Sequence, residues 1–191
     1  DEAGRGPWAG PVIAAAVVFP HPDVAKRLVD AGLTDSKALR PAARARLCAE
    51  ILAHAEVGVG GAGVAEIDQF NILQATMRAM ARALTALPCT PAHALVDGNR
   101  CPDLPCPAEA IVKGDLTVPE IMAASIVAKV TRDRIMARAA NRYPGFGFET
   151  NQGYGTAAHQ AGLARLGPTP LHRRSFAPVH KILIELGLIT L

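Results

Sequence analysis

The chain has 191 residues, half of them hydrophobic, 19% charged and 4% aromatic, with a formal net charge of +3. That length suffices for one buried core. No run approaches the roughly 18 consecutive apolar residues of a membrane span, and no basic-then-apolar leader opens the chain, so a cytoplasmic protein without membrane association is expected. The mild positive charge permits a nucleic-acid partner, while the scarcity of aromatic rings points away from base stacking and towards a grip on backbone or duplex shape.

The chain opens on Asp1-Glu2, followed by Ala3-Gly4-Arg5-Gly6. A strand normally leads into such a turn, so residues ahead of Asp1 are expected in the full protein. Residues 11–19 are rich in Val, Ile and Ala and uncharged, which predicts a buried strand. Thr34-Asp35-Ser36-Lys37 reads as a polar loop. Residues 41–54 predict a helix, with Pro41 in the first turn and Ala43, Leu47 and Ile51 on one face. A short Gly-rich strand is predicted over 56–62. Leu73, Met77, Met80, Leu84 and Leu87 step by four and three, as on an amphipathic helix, which Pro88 and Pro91 help to end.

Residues 94–98 read as a short strand ending in a turn, and 110–115 have the same shape. A long helix is predicted over 119–141. A loop rich in Gly and aromatics follows Tyr143-Pro144-Gly145, then shorter helices near 156–166 and 178–186. Strands interleaved with helices predict an α/β layer with a central sheet. Cys48, Cys89, Cys101 and Cys106, even with His93, match no common zinc-finger spacing and are expected to be reduced thiols.

Three acidic features share a local pattern. Asp1-Glu2, Asp97 and Asp115 each have glycine close by, and the last two end apolar runs. Strand ends and the loops beyond them are where α/β proteins place chemistry. Clustered carboxylates repel one another, and a hard divalent cation removes that penalty, since Mg²⁺ favours a few carboxylates plus water and phosphate oxygens. The bland alternative for each acid alone is a turn former. Asp1 and Glu2 are neighbours and would point to opposite faces of a regular strand, so both serve one site only if the glycines bend the backbone. Asp133, between Arg132 and Arg134 on the long helix, reads as a solvated helix charge near Lys129.

These residues resemble type 2 ribonucleases H, of the bacterial branch. The resemblance runs from Asp1-Glu2-Ala3-Gly4-Arg5-Gly6 and Ala9-Gly10-Pro11-Val12 through Thr34-Asp35-Ser36-Lys37, Leu95-Val96-Asp97-Gly98 and Val112-Lys113-Gly114-Asp115. It continues in residues 123–130, Gly153-Tyr154-Gly155-Thr156 with His159, and Pro170, His172-Arg173 and Ser175-Phe176. It implies an RNase H-like α/β fold, a central mixed sheet flanked by helices. Residues 1–191 would form a single catalytic domain, with a C-terminal helical segment from about residue 156. It also implies that Asp1, Glu2, Asp97 and Asp115 are the metal-binding catalytic acids, with Mg²⁺ or Mn²⁺ as cofactor.

The implied activity is endonucleolytic cutting of the RNA strand of RNA–DNA hybrids, and of single ribonucleotides embedded in duplex DNA, leaving 5′-phosphate and 3′-hydroxyl ends. A monomer is expected. Gly4, Arg5, Gly6 and Tyr154 would read the ribose 2′-hydroxyl, the group that separates RNA from DNA. Lys37 is a candidate phosphate contact, and Arg173, Arg174 and Lys181 form a loose basic group for the DNA backbone. Trp8 is expected to pack under the loop, and Ser125 to be a small packing residue. Two other readings share these features: a hybrid-binding module without hydrolysis, and a metal-dependent DNA exonuclease of similar architecture.

Overall fold

The computed structural model describes residues 1–189, as two compact units. The first comprises residues 1–3, 13–61 and 76–131, and the second residues 4–12, 62–75 and the described residues from 132 onward.

The first unit holds the sheet. Strand β1 (Glu2–Ala3) pairs antiparallel with β2 (Val12–Val18), Glu2 opposite Ala14 and Ala3 opposite Ile13, and β3 (Glu56–Ala62) completes a ladder in the order β1-β2-β3. The β-branched and small residues of β2 suit a buried strand, and Val12 to Ala15 are all buried. A second ladder pairs β4 (Ala94–Asp97) with β5 (Ala108–Ile111) in parallel, Asp97 opposite Ile111. The predicted strand over 110–115 is therefore displaced. Pairing ends at Ile111, Lys113 turns left-handed at φ 59°, and Asp115 lies in a single 3₁₀ turn, Gly114–Leu116.

Helix α1 (Pro22–Asp30) lies in a stretch where the sequence analysis predicts no element, although Pro22-Asp23 suits a helix's first turn. Helix α2 (Pro41–His54) matches its prediction and buries Leu47, Cys48 and Ile51. Helix α3 (Val64–Thr85) is broken at Asn71, whose positive φ of 67° is not helical and whose side-chain oxygen caps the amide of Gln74. The predicted periodic stripe begins just after this break. Its buried alanines explain the glycines of β3: a side chain at Gly58 would strike the carbonyl of Ala83, and one at Gly60 that of Ala79, so strand and helix approach backbone to backbone. Leu84, Leu87 and Ala94 anchor a cluster with Ala16, Val18, Leu104 and Ala108. All four cysteines are free thiols.

Helix α4 (Pro119–Arg142) continues from the first unit's residues into the second's. The second unit also contains α5 (Phe148–Asn151), α6 (Ala157–Leu166) and α7 (Ala177–Glu185). Thr156 caps α6 by accepting the amide of His159. The core here is Ala9, Met136, Phe146, Phe148 and Leu163. No helix among the described residues is long and apolar enough to cross a membrane.

Candidate active site

Asp1, Glu2, Asp97 and Asp115 all belong to the first unit. The ladder to β2 holds Asp1: its carbonyl accepts the Ala15 amide at 3.0 Å and its nitrogen lies 3.2 Å from the Ala15 carbonyl oxygen. Its carboxylate turns back to accept the Glu2 amide at 2.6 Å. Asp97 closes β4, and its Oδ1 accepts the Gly114 amide at 2.8 Å. That bond ties the end of β4 to the turn carrying Asp115. A side chain at Gly114 would run into Ile121, so this turn sits directly against α4.

Glu2, Asp97 and Asp115 all lie close enough to the Asp1 backbone nitrogen to act on it electrostatically. Three separate pieces of chain thus bring four acids into one electrostatic neighbourhood. Asp133 lies on α4, outside this set.

Lys37 joins the acids, its ammonium 3.6 Å from Asp115 with the side chain largely exposed. Its loop is tied down from below. The Asp35 carboxylate accepts the Lys37 amide, the buried Ser36 hydroxyl meets that of Ser125 at 2.7 Å, and Arg44 donates to the carbonyls of Ser36 and Leu39. Ser125 therefore does more than fill space on α4.

Among the described residues, no three acidic, histidine or cysteine side chains form a ready-made metal cage. The donors are nevertheless hard oxygens sharing one negative field, and Asp97 is already oriented through one oxygen. This chemistry fits a hard divalent cation, which completes its shell with water and substrate oxygens. A cavity of about 470 Å³ beside Asp1, between Ala15–Phe19 and Ala94–Val96, is lined mainly by apolar side chains and does not suit a polyanion.

Gly4, Arg5, Gly6 and Tyr154 belong to the second unit. The loop they form is organised by two buried arginines. Arg173, fully buried, donates to the carbonyls of Gly4 at 2.6 Å, Arg5 at 2.9 Å and Gly10 at 2.8 and 2.9 Å. Arg132 donates to those of Ala9, Pro11 and Gln152. Burial pulls both guanidinium groups down, to about 9 for Arg173 and about 10 for Arg132, and for Arg173 the nearby Arg132 charge adds to this. The expectation that Arg173 touches DNA is thus corrected: a fully buried side chain with its donors committed to backbone is a scaffold. Asp68 accepts the amides of Arg174 and Ser175 and the Ser175 hydroxyl, fixing the next residues.

This arrangement has a geometric consequence. A trans peptide points its N–H opposite to its C=O. With the Gly4 and Arg5 carbonyls turned to Arg173, the amides of Arg5 and Gly6 point away from it. Gly4, at φ 99°, cannot be replaced without driving a side chain into Arg132. The half-exposed Tyr154 ring stands beside Gly6, where an added Cβ would lie 3.4 Å from it. Trp8 packs against Gly155 and donates its amide to Gly153, so it does lie under this loop. The sequence reading missed Arg132, although Ile121, Ser125, Ala128, Arg132 and Met136 recur at helical spacing on a buried face.

The mixed α/β architecture is that of the RNase H-like class. The model of the ribonuclease HII family matches residues 1–179. A ribonuclease HII from Parvibaculum lavamentivorans is 56% identical over 184 residues, covering 96% of this chain and 66% of that protein. One from Rhodospirillum rubrum is 56% identical over 190 residues, covering 98% and 87%. The crystal structure of ribonuclease H2 from Pyrococcus horikoshii superposes with a TM-score of 0.81 at 29% identity, covering 98% of this chain and 96% of that one. The chain belongs to the ribonuclease HII family, whose members are metal-dependent endoribonucleases.

Proposed function

We propose that the protein hydrolyses the RNA strand of RNA–DNA hybrids and cuts at single ribonucleotides embedded in duplex DNA, acting in the cytoplasm as a monomer. The observation that carries this reading is the convergence of Glu2, Asp97 and Asp115 on the charge environment of Asp1 in a ribonuclease HII chain. Asp1, Glu2, Asp97 and Asp115 would hold Mg²⁺ or Mn²⁺, both of which accept carboxylate oxygens. Held there, two such ions would supply the chemistry of water activation and of charge neutralisation at the departing oxygen in phosphodiester hydrolysis.

The chain's own groups do the rest. Asp97 keeps one oxygen on the Gly114 amide and presents the other. The amides of Arg5 and Gly6, turned away from Arg173, would donate to a ribose 2′-hydroxyl, and the Tyr154 ring and hydroxyl would pack on and bond to the same sugar. Lys37 supplies a positive charge to the phosphate beside Asp115. Hydrolysis adds water oxygen to phosphorus as the P–O3′ bond breaks, giving 5′-phosphate and 3′-hydroxyl ends.

The experiment is cleavage of a DNA duplex containing one ribonucleotide, with divalent metal and with chelator. The expected result is a single cut at the ribonucleotide, with those end groups, abolished by chelator. Binding without a metal-dependent cut, or degradation from DNA ends, would overturn the reading.

A further inference from the structure

The second unit contains two buried histidines with no evident role, His159 at 0% and His172 at 1% exposure. Their Nε2 atoms face each other at 3.0 Å. The Thr169 amide donates to Nδ1 of His172 at 2.9 Å. A backbone N–H can only donate, so this Nδ1 carries no proton, and the neutral His172 ring has its proton on Nε2. That proton points at Nε2 of His159, which must therefore accept. The proton of His159 is then on Nδ1, and it is donated to the Tyr154 carbonyl at 2.9 Å. A single backbone amide sets the tautomer of both rings, and the chain of bonds runs one way, from Thr169 to Tyr154.

We propose that His159 and His172 are positioning residues, a directed hydrogen-bond relay that fixes the backbone of Tyr154 so that its ring meets the ribonucleotide in one place. This rests on Tyr154 being a ribose contact, as proposed above. The relay cannot slip: an added proton on His159 would set two N–H groups against each other across 3.0 Å, and one on His172 would set its Nδ1–H against the Thr169 amide across 2.9 Å. The rings are wedged by Phe146, Phe148 and Trp8, with His159 centred 5.2 Å from Phe148 and 5.8 Å from Trp8, and His172 5.1 Å from Phe146. At its far end the Tyr154 carbonyl also accepts the Thr156 amide, while the Tyr154 amide donates to Asn151. The main chain of Tyr154 is thus held on both sides, and its side chain is left about half exposed beside Gly6.

Imidazole ¹⁵N chemical shifts of the unsubstituted protein test the relay directly. The expected result is the Nδ1–H tautomer for His159 and Nε2–H for His172; a His159 proton on Nε2 overturns it. Kinetics at a single embedded ribonucleotide test its purpose. A leucine in H159L removes the donor, and kcat should fall roughly tenfold with KM within about twofold, as expected when a reacting group is misplaced rather than unbound. Asparagine in H159N keeps an N–H near Nδ1 and should restore most of the rate. In a Y154A background, H159L should cost nothing further, because both changes act through one side chain. An unchanged rate in Y154A overturns the ribose reading itself. An impaired Y154A beside a folded, fully active H159L overturns the relay alone. If H159L does not fold, H159N and the tautomer measurement still decide.

Discussion

Asp97 accepts one backbone hydrogen bond through Oδ1, and an asparagine can accept the same bond from Gly114. Asp97→Asn should therefore leave the fold intact while removing a charge that a cation needs. Cleavage should drop about 100-fold or more at saturating metal, with the thermal midpoint little changed. Full activity would remove Asp97 from the site. Gly4 is the opposite case, structural before it is chemical. Its φ of 99° and the Arg132 side chain against it mean that Gly4→Ala strains the backbone and displaces a guanidinium with three carbonyl partners. A loss of about 2–4 kcal/mol is expected in urea unfolding, and a wild-type midpoint would show that the loop yields freely.

At the level of elements, the segment through Gly4 to Pro11 makes few ladder bonds and is held by side chains reaching in from Arg132 and Arg173. Arg173→Met would leave the carbonyls of Gly4, Arg5 and Gly10 without that donor, and roughly 3–5 kcal/mol of stability should go with it. Urea titration would check this, and a midpoint near wild type would show that other donors replace the guanidinium. This is also where legibility in the sequence divides. Helices α2, α4, α6 and α7 and strands β2 to β4 follow from periodicity and from proline at helix starts. The shared neighbourhood of the four proposed ligands was legible in the glycine close to each and in the family resemblance. The scaffold role of Arg173 was not legible, because an arginine beside Arg174 in a basic group looks like a surface charge until its carbonyl partners, more than 160 positions away, are in place. The kink at Asn71 and the 3₁₀ turn at Asp115 were equally hidden, since each depends on a left-handed residue that is not glycine.

The His159–His172 relay lends these elements a pH dependence. Burial is the main cause that lowers His172, to about 4, with the His159 charge adding to it, and burial lowers His159 as well. The folded state thus binds a proton less readily than the unfolded chain, whose histidines titrate near 6.5. The stability this contributes is fully present above about pH 6.5 and is lost as pH falls towards 4. Unfolding free energy measured at pH 7 and at pH 5 should fall in the parent and fall less in His172→Phe; equal slopes would mean that these rings do not govern the window.

For the molecule as a whole, a formal net charge of +3 from 20 basic and 17 acidic residues is a small resource against a duplex carrying one negative charge per ~1.7 Å. Arg132 and Arg173 are buried and committed to backbone carbonyls, and Lys181 lies 3.8 Å from Glu185. On the proposed function, the grip on substrate would come from a few placed charges and from the glycine loop. Such a protein should show a shallow salt dependence of binding, in which each phosphate contact contributes about 0.9 to the slope of log K against log salt. Lys37 is the charge to examine, because its ammonium already stands 3.6 Å from Asp115. If it meets a phosphate, Lys37→Ala should weaken binding to every duplex alike and reduce the slope by about one, measured with chelator present so that no cutting occurs. If it serves instead as a counter-charge for Asp115, the slope will stay the same and the metal concentration needed for half-maximal cleavage will fall, since one competing cation has gone. The two roles separate in a single pair of titrations, and the first is the outcome expected.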